Sequence, residues 1–240
     1  VPEALEEIRA GNASSGRKLV VLDDDPTGTQ TVHGVPVLTT WSVEDLTWAL
    51  TQPSSTFYVL TNSRSIPEDE AVSMNREIAF NLSAAAETTG TQFVAASRSD
   101  STLRGHYPAE TDALQESLGG LFDGVILCPC YLEAGRLTIE DIHWMRQDGS
   151  LVPAGETEFA RDASFGYSSS NLRDWVEEKT GGRVPASEVV SVVLAEIRSG
   201  GPQHVAEVLR GVSGGCPVVV NAVTYADLEV FVLGLLAAEE

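Results

Sequence analysis

The sequence predicts an α/β fold, a three-layer α/β/α arrangement around a mainly parallel sheet of about six to seven strands. Two observations carry this. Seven short runs are apolar on both faces and rich in Val, as strands are when helices cover both sides of a sheet. Longer stretches with helical periodicity separate them, and strands alternating with helices give a parallel sheet. The 240 residues, of which 42% are apolar, suffice for a core of this size.

The elements read in order as follows. Residues 1–17 are expected to be loosely ordered, and 18–240 to form the folded domain. The strand runs are KLVVL (18–22), VPVLTT (35–40), TFYVLT (56–61), TQFVAA (91–96), GVILC (124–128), EVVSVVL (188–194) and PVVVNAV (217–223). The helix VEDLTWALT has Ser42 as its N-cap. The helix after Ile66 opens with Pro67 and three acids. PAETDALQESLGG starts at Pro108. SNLRDWVEEKTGG buries Leu172, Trp175 and Val176 and stops at Gly181. GPQHVAEVLRGV and YADLEVFVLGLLAAEE complete the series. Residues 129–167 break the rhythm and read as an excursion, a hairpin plus a flap.

Charge narrows the function. The net charge is −20, a field that repels nucleic acid and anionic membrane. Only Lys18 and Lys179 are lysines, so an anion site must be built from arginine and backbone N–H groups. No apolar run reaches membrane-spanning length, and the start has no signal-peptide pattern. Cys128, Cys130 and Cys216 read as reduced thiols of a cytoplasmic protein. His33, His143 and His204 lack metal-ligand spacing, and no metal site is expected. GNASSGRK resembles a phosphate loop, but Arg17 holds the lysine position and the segment precedes a strand instead of following one.

In an open parallel sheet, ligands bind beyond the carboxyl ends of the strands. Three such ends are densely polar: DDDPTGTQ, TNSRS and SRSDSTLRGH. The first offers Asp24, Asp25 and Thr27, and three adjacent carboxylates need donors or a counter-cation. The second offers Asn62, Ser63 and Arg64, whose planar fork suits a carboxylate or phosphate. The third offers Asp100, Ser101, Thr102 and Arg104, then Gly105 for a tight turn and a helix start at Pro108 that favours an anion. His106 reads as structural. Together these describe a site for a small polar ligand.

DDPTG (24–28), TNSR (61–64) and SDSTLRGHYPAETDAL (99–114) resemble the motifs of the four-carbon acid sugar kinase family. AGRLT (134–138) and GETEFARD (155–162) resemble its later segments, so the likeness runs from about Lys18 onward. The resemblance implies ATP-dependent phosphorylation of threonate, erythronate or a 3-oxo-tetronate. It implies an N-terminal domain that binds the acid sugar and a C-terminal nucleotide-binding domain, absent from this chain, that holds ATP and Mg²⁺. Carried over by position, Asp24, Asp25, Arg64, Asp100, Ser101, Thr102 and Arg104 are substrate-binding residues, with Thr27, Asn62 and Ser63 beside them; Asp25 and Asp100 are the two candidates for the catalytic base. The sequence departs from the family pattern at Thr31, where an acid is expected, and at His106, where Asn is common. Whether the chain forms a homodimer stays open.

Two alternatives remain at this point. Asp23-x-Asp25-x-Thr27 after an apolar strand matches the first motif of haloacid-dehalogenase-like Mg-dependent phosphatases, with Asp23 as nucleophile. A stand-alone acid-sugar-binding module is the other.

Overall fold

A computed structural model describes residues 3–120 and 122–239. The chain divides into two compact units. The N-terminal unit comprises Asn12–Asp100 and Gly105–Gly120; the C-terminal unit comprises Val1–Gly11, Ser101–Arg104 and Leu121–Glu240. Helix α1, Ala4–Ser15, lies in the stretch expected to be loosely ordered.

In the N-terminal unit, strands β1 (Lys18–Asp23), β2 (Val37–Leu38), β3 (Thr56–Leu60) and β4 (Phe93–Arg98) alternate with helices α2 (Val43–Thr51), α3 (Glu68–Thr89) and α4 (Ala109–Ser117). The four strands form one parallel sheet in the order β2-β3-β1-β4. Central β1 is buried from Val20 to Asp23, so its last buried position is an aspartate and not an aliphatic residue. Val20, Leu22, Phe57 and Val59 from the sheet pack with Leu46, Leu50, Ile78 and Leu82 from α2 and α3. Full burial of each such side chain contributes roughly 1.5–3 kcal/mol. Ser42 caps α2, its Oγ accepting from the N–H of Asp45 at 3.1 Å. Helix α3 starts after Pro67 with Glu68, Asp69 and Glu70 in its first turn and ends at Gly90 in the left-handed region.

In the C-terminal unit, β5 (Gly124–Leu127), β9 (Val190–Val192) and β10 (Cys216–Val220) form a second parallel sheet, ordered β5-β10-β9. Between β5 and β9 come β6 (Arg136–Ile139), β7 (Ile142–Gln147) and β8 (Ser150–Pro153), an antiparallel sheet, and then α5 (Leu172–Lys179). Helix α6 (Gly201–Arg210) precedes β10, and α7 (Tyr225–Glu239) follows it. The core joins Val192, Val218 and Val220 to Ile197, Val205 and Phe231. Leu172, Trp175 and Val176 are the buried face of α5.

All seven expected strand runs are strands, but they do not form one sheet. They divide into a parallel sheet of four and one of three, and the excursion at 129–167 supplies the antiparallel third sheet. The physical reason is pairing. After β4 the chain does not add β5 to the first sheet; β5 pairs with β10 instead. Val-rich runs mark strands without naming their neighbours.

Among the described residues, no helix is long and apolar enough to cross a membrane. The three cysteines are free thiols. Burial pushes Cys128 up to about 11 and Cys130 up to about 12, so both stay protonated at neutral pH.

Candidate functional site

The carboxyl end of the first sheet gathers an acidic cluster within the N-terminal unit. Strands β1 and β4 are in parallel register, with Asp23 opposite Arg98. The residues that follow each strand therefore emerge side by side. Asp24 is 3% exposed, and its amide N–H donates to the carbonyl of Arg98 at 3.2 Å. The loop after β3 returns to the same place: the N–H of Thr61 donates to the carbonyl of Asp23, and that of Arg64 to the carbonyl of Asp24. Asn62 holds this loop in the left-handed region, with φ of 52°.

Arg64 is the centre of the cluster. Its Nε and Nη2 grip Asp24 at 3.1 and 2.8 Å, a bidentate pair. Asp25 Oδ2 and Asp100 Oδ2 stand 3.8 and 3.7 Å from the same guanidinium. Ser99 donates its hydroxyl to Asp24 Oδ2 at 2.6 Å. Three carboxylates thus share one arginine. The fork that the sequence assigned to a ligand's carboxylate is occupied by a protein carboxylate, and the surplus negative charge disfavours a second anion there.

Asp25 folds its side chain back over the turn, accepting from the N–H of Thr27 at 2.8 Å. Hydrogen bonding by Thr27 holds its carboxyl below the usual range against a smaller opposing effect of burial, so it is ionised at neutral pH. Asp23 behaves in the opposite way. It is fully buried, Arg98 Nη1 approaches Oδ1 at 3.3 Å, and Oδ2 has no hydrogen-bond partner. Burial pushes Asp23 up to about 6, with Arg98 opposing and the charge of Asp24 adding to the rise. An attacking carboxylate must be open to its substrate. Asp23 is closed off, which argues against the dehalogenase-like phosphatase reading.

Two glycines are required by close approach. A Cβ on Gly28 would fall 2.4 Å from Asp23 Oδ2, and one on Gly105 would fall 2.1 Å from Ser99 Oγ. Gly105 also has φ of 147°, a conformation that L residues avoid. His106 is a fastener: Nε2 faces the carbonyls of Ser63 and Ile66 at 3.2 and 3.0 Å, and since carbonyls only accept, Nε2 carries the proton. The first turn of α4 carries its own buried carboxylate, Glu110, which accepts from Asn75 at 2.9 Å and is raised by burial. That helix start is thus next to a protein carboxylate.

The SDSTLRGH motif is split between the units. Asp100 belongs to the N-terminal unit, whereas Ser101–Arg104 pack in the C-terminal unit. There, His143 and Tyr167 hold the backbone. His143 Nε2 donates to the carbonyl of Ser101 at 2.8 Å, and its Nδ1 accepts from Thr138 at 3.1 Å. The Tyr167 hydroxyl donates to the carbonyl of Thr102 at 2.8 Å. Arg104 donates through Nε to Thr102 Oγ1 at 3.0 Å, approaches Asp162 at 3.7 Å, and lies over the ring of Phe159. The β6–β7 hairpin is itself pinned: its turn residue Asp141 exchanges hydrogen bonds with Asn221 at 2.8 Å and accepts from Ser191.

Of the ten residues assigned from sequence, Asp24, Asp25, Arg64 and Asp100 are brought together around one guanidinium. Thr27 and Ser63 support them, Thr27 by its bond to Asp25 and Ser63 as a fully buried hydroxyl accepting from Thr61 at 3.1 Å. Asn62 turns its amide to Ser65 at 3.0 Å. Ser101, Thr102 and Arg104 belong to the other unit. Sequence reasoning missed Arg98, Ser99, His143, Phe159 and Tyr167. Arg98 and Ser99 lie in the SRSDSTLRGH run and Phe159 in GETEFARD; His143 had no signal beyond being a histidine.

The family model for the sugar-binding N-terminal domain matches residues 19–240. The chain belongs to that family, the sugar-binding domain of the four-carbon acid sugar kinases. A domain of unknown function from Bordetella bronchiseptica, solved as a domain-swapped dimer with bound citrate, is 22% identical with a TM-score of 0.61, covering 88% of this chain and 48% of that one. A second crystal form of it gives 22% and 0.60, covering 89% and 50%. A protein from Salmonella typhimurium LT2 with the provisional name of tRNA synthase is 17% identical with a TM-score of 0.63, covering 93% and 55%. At these identities the likeness is one of fold. The chain spans about half the length of the solved structures it matches. A search of curated proteins finds no significant match.

Proposed function

We propose that this sugar-binding domain serves an ATP-dependent kinase that phosphorylates a four-carbon acid sugar of the threonate, erythronate or 3-oxo-tetronate type. The observation that carries the reading is the cluster of Asp24, Asp25 and Asp100 on Arg64 at the carboxyl end of a parallel sheet. Ionised carboxylates only accept hydrogen bonds, and the hydroxyls of a sugar acid supply donors. Arg64 holds the carboxylates in place, so their lone pairs are pre-aimed. Phosphoryl transfer asks little covalent chemistry of the protein. It needs a positioned hydroxyl and an acceptor for its proton. Asp25 and Asp100 are the candidates for that acceptor, and Asp24, engaged by Arg64 and Ser99, is a positioning residue.

The nucleotide and its Mg²⁺ are assigned in this reading to a separate nucleotide-binding domain. Among the described residues, no group of three or more His, Cys, Asp or Glu side chains could hold a metal ion. Calorimetry of the 240-residue chain with sodium L-threonate, sodium D-erythronate and the uncharged tetritols tests the substrate class. Binding of at least one aldonate is expected; binding of none would overturn it. The purified chain is expected to turn over no ATP, and robust phosphorylation by it alone would overturn the division of labour.

A further inference from the structure

We propose that Arg104 and Arg136, gathered on the ring of Phe159, form a carboxylate-binding subsite within the C-terminal unit. Strand β6 begins at Arg136, which shares its face with Thr138 by the two-residue period of a strand. In register across the hairpin are Met145 and His143, and Thr138, His143 and Met145 are all buried. This is the face on which His143 fastens Ser101, so Arg136 is directed by the same hairpin that anchors the Ser101–Arg104 loop.

The two guanidiniums converge on one ring. The Cζ of Arg104 is 5.0 Å from the centroid of Phe159 and that of Arg136 is 5.9 Å away. Each contact is favourable alone, but two like charges on one ring repel each other. Asp162 stands 3.7 Å from Arg104 as a countercharge. In a chain of net charge −20 with 15 Lys and Arg, two arginines on one ring are notable.

A second observation points to a ligand atom. Arg136 spends Nη1 on the carbonyl of Ala134, while its Nε is buried with no hydrogen-bond partner. A buried N–H without an acceptor is costly, and a charged one more so. An oxygen arriving there satisfies it. A carboxylate matches the site in shape, because its two oxygens fit a guanidinium fork, and in sign, because both side chains are cationic. The occupied fork of Arg64 leaves this pair as the better place for a carboxylate in the chain.

The inference takes from the proposed function only its choice of probes. In the chain labelled with nitrogen-15 arginine, the Nε–Hε resonance of Arg136, assigned with Arg136→Lys, is followed while sodium L-threonate, sodium D-erythronate, sodium glycolate, erythritol or inorganic phosphate is added. The resonance is expected to shift with the aldonates and stay still with erythritol. Arg136→Lys, which keeps the charge and loses the fork, should weaken aldonate binding roughly tenfold or more by calorimetry. Aldonate binding that leaves the Arg136 resonance unmoved overturns the inference and spares the proposed function. A shift with glycolate but with neither aldonate supports the subsite and removes the four-carbon substrate. Phosphate acting at lower concentration than every carboxylate, or no response to any anion, overturns the subsite.

Discussion

Asp23→Asn isolates the energetic cost of the acidic cluster. Asp23 titrates at 3.8 as an ordinary carboxyl and at about 6 in the folded protein, where burial opposes its charge. The folded state therefore holds this proton more tightly than the unfolded chain does. A group of this kind destabilises the fold progressively as pH rises from 3.8 to about 6, and the penalty is constant above that. A shift of roughly two units corresponds to about 3 kcal/mol. Asparagine has nearly the same shape and no proton to lose, so any change in packing or in the contact with Arg98 enters as an offset that does not depend on Asp23 titration. The stability of Asp23→Asn minus that of wild type should accordingly climb by about 2–3 kcal/mol between pH 4 and pH 7 and then level off. Urea denaturation at intervals across that range measures it. Asp25→Asn is the control of opposite sign: the carboxyl of Asp25 is depressed, so its contribution is present above 3.8 and lost only as pH falls below it. The Asp25→Asn difference should be flat from pH 5 to 8. A difference for Asp23→Asn that stays constant from pH 4 to 8 would refute the claim that burial governs this carboxyl.

Two further outcomes follow from the loop geometry. Gly105→Ala must adopt φ of 147° and place a methyl 2.1 Å from Ser99 Oγ, so it should cost about 2 kcal/mol or more in urea denaturation; unchanged stability would show that the loop is not fixed by this contact. Tyr167→Phe removes the hydroxyl that donates to the carbonyl of Thr102 and should cost about 1 kcal/mol, and an unaltered midpoint would remove Tyr167 from the anchoring of Ser101–Arg104.

Much of the architecture is local and so was legible in the sequence. The Val-rich runs are strands, Ser42 caps α2, Pro67 and the acids behind it open α3, and Leu172, Trp175 and Val176 face inward on α5. Each depends on side-chain period or on backbone groups within a few residues. The clustering of Asp24, Asp25, Arg64 and Asp100 was legible in outline as well, because the carboxyl ends of neighbouring parallel strands must lie side by side. Partner choice was not. Sequence alone cannot say that β5 joins β10 and not the first sheet, since inter-strand hydrogen bonds are made by a backbone that every residue shares. Nor can it say that Arg64 is held by Asp24 while Arg104 lies on Phe159, because a guanidinium takes the nearest suitable partner and nearness is fixed by tertiary packing. The residue types came from the sequence; which charges pair with which was decided only when the chain closed on itself.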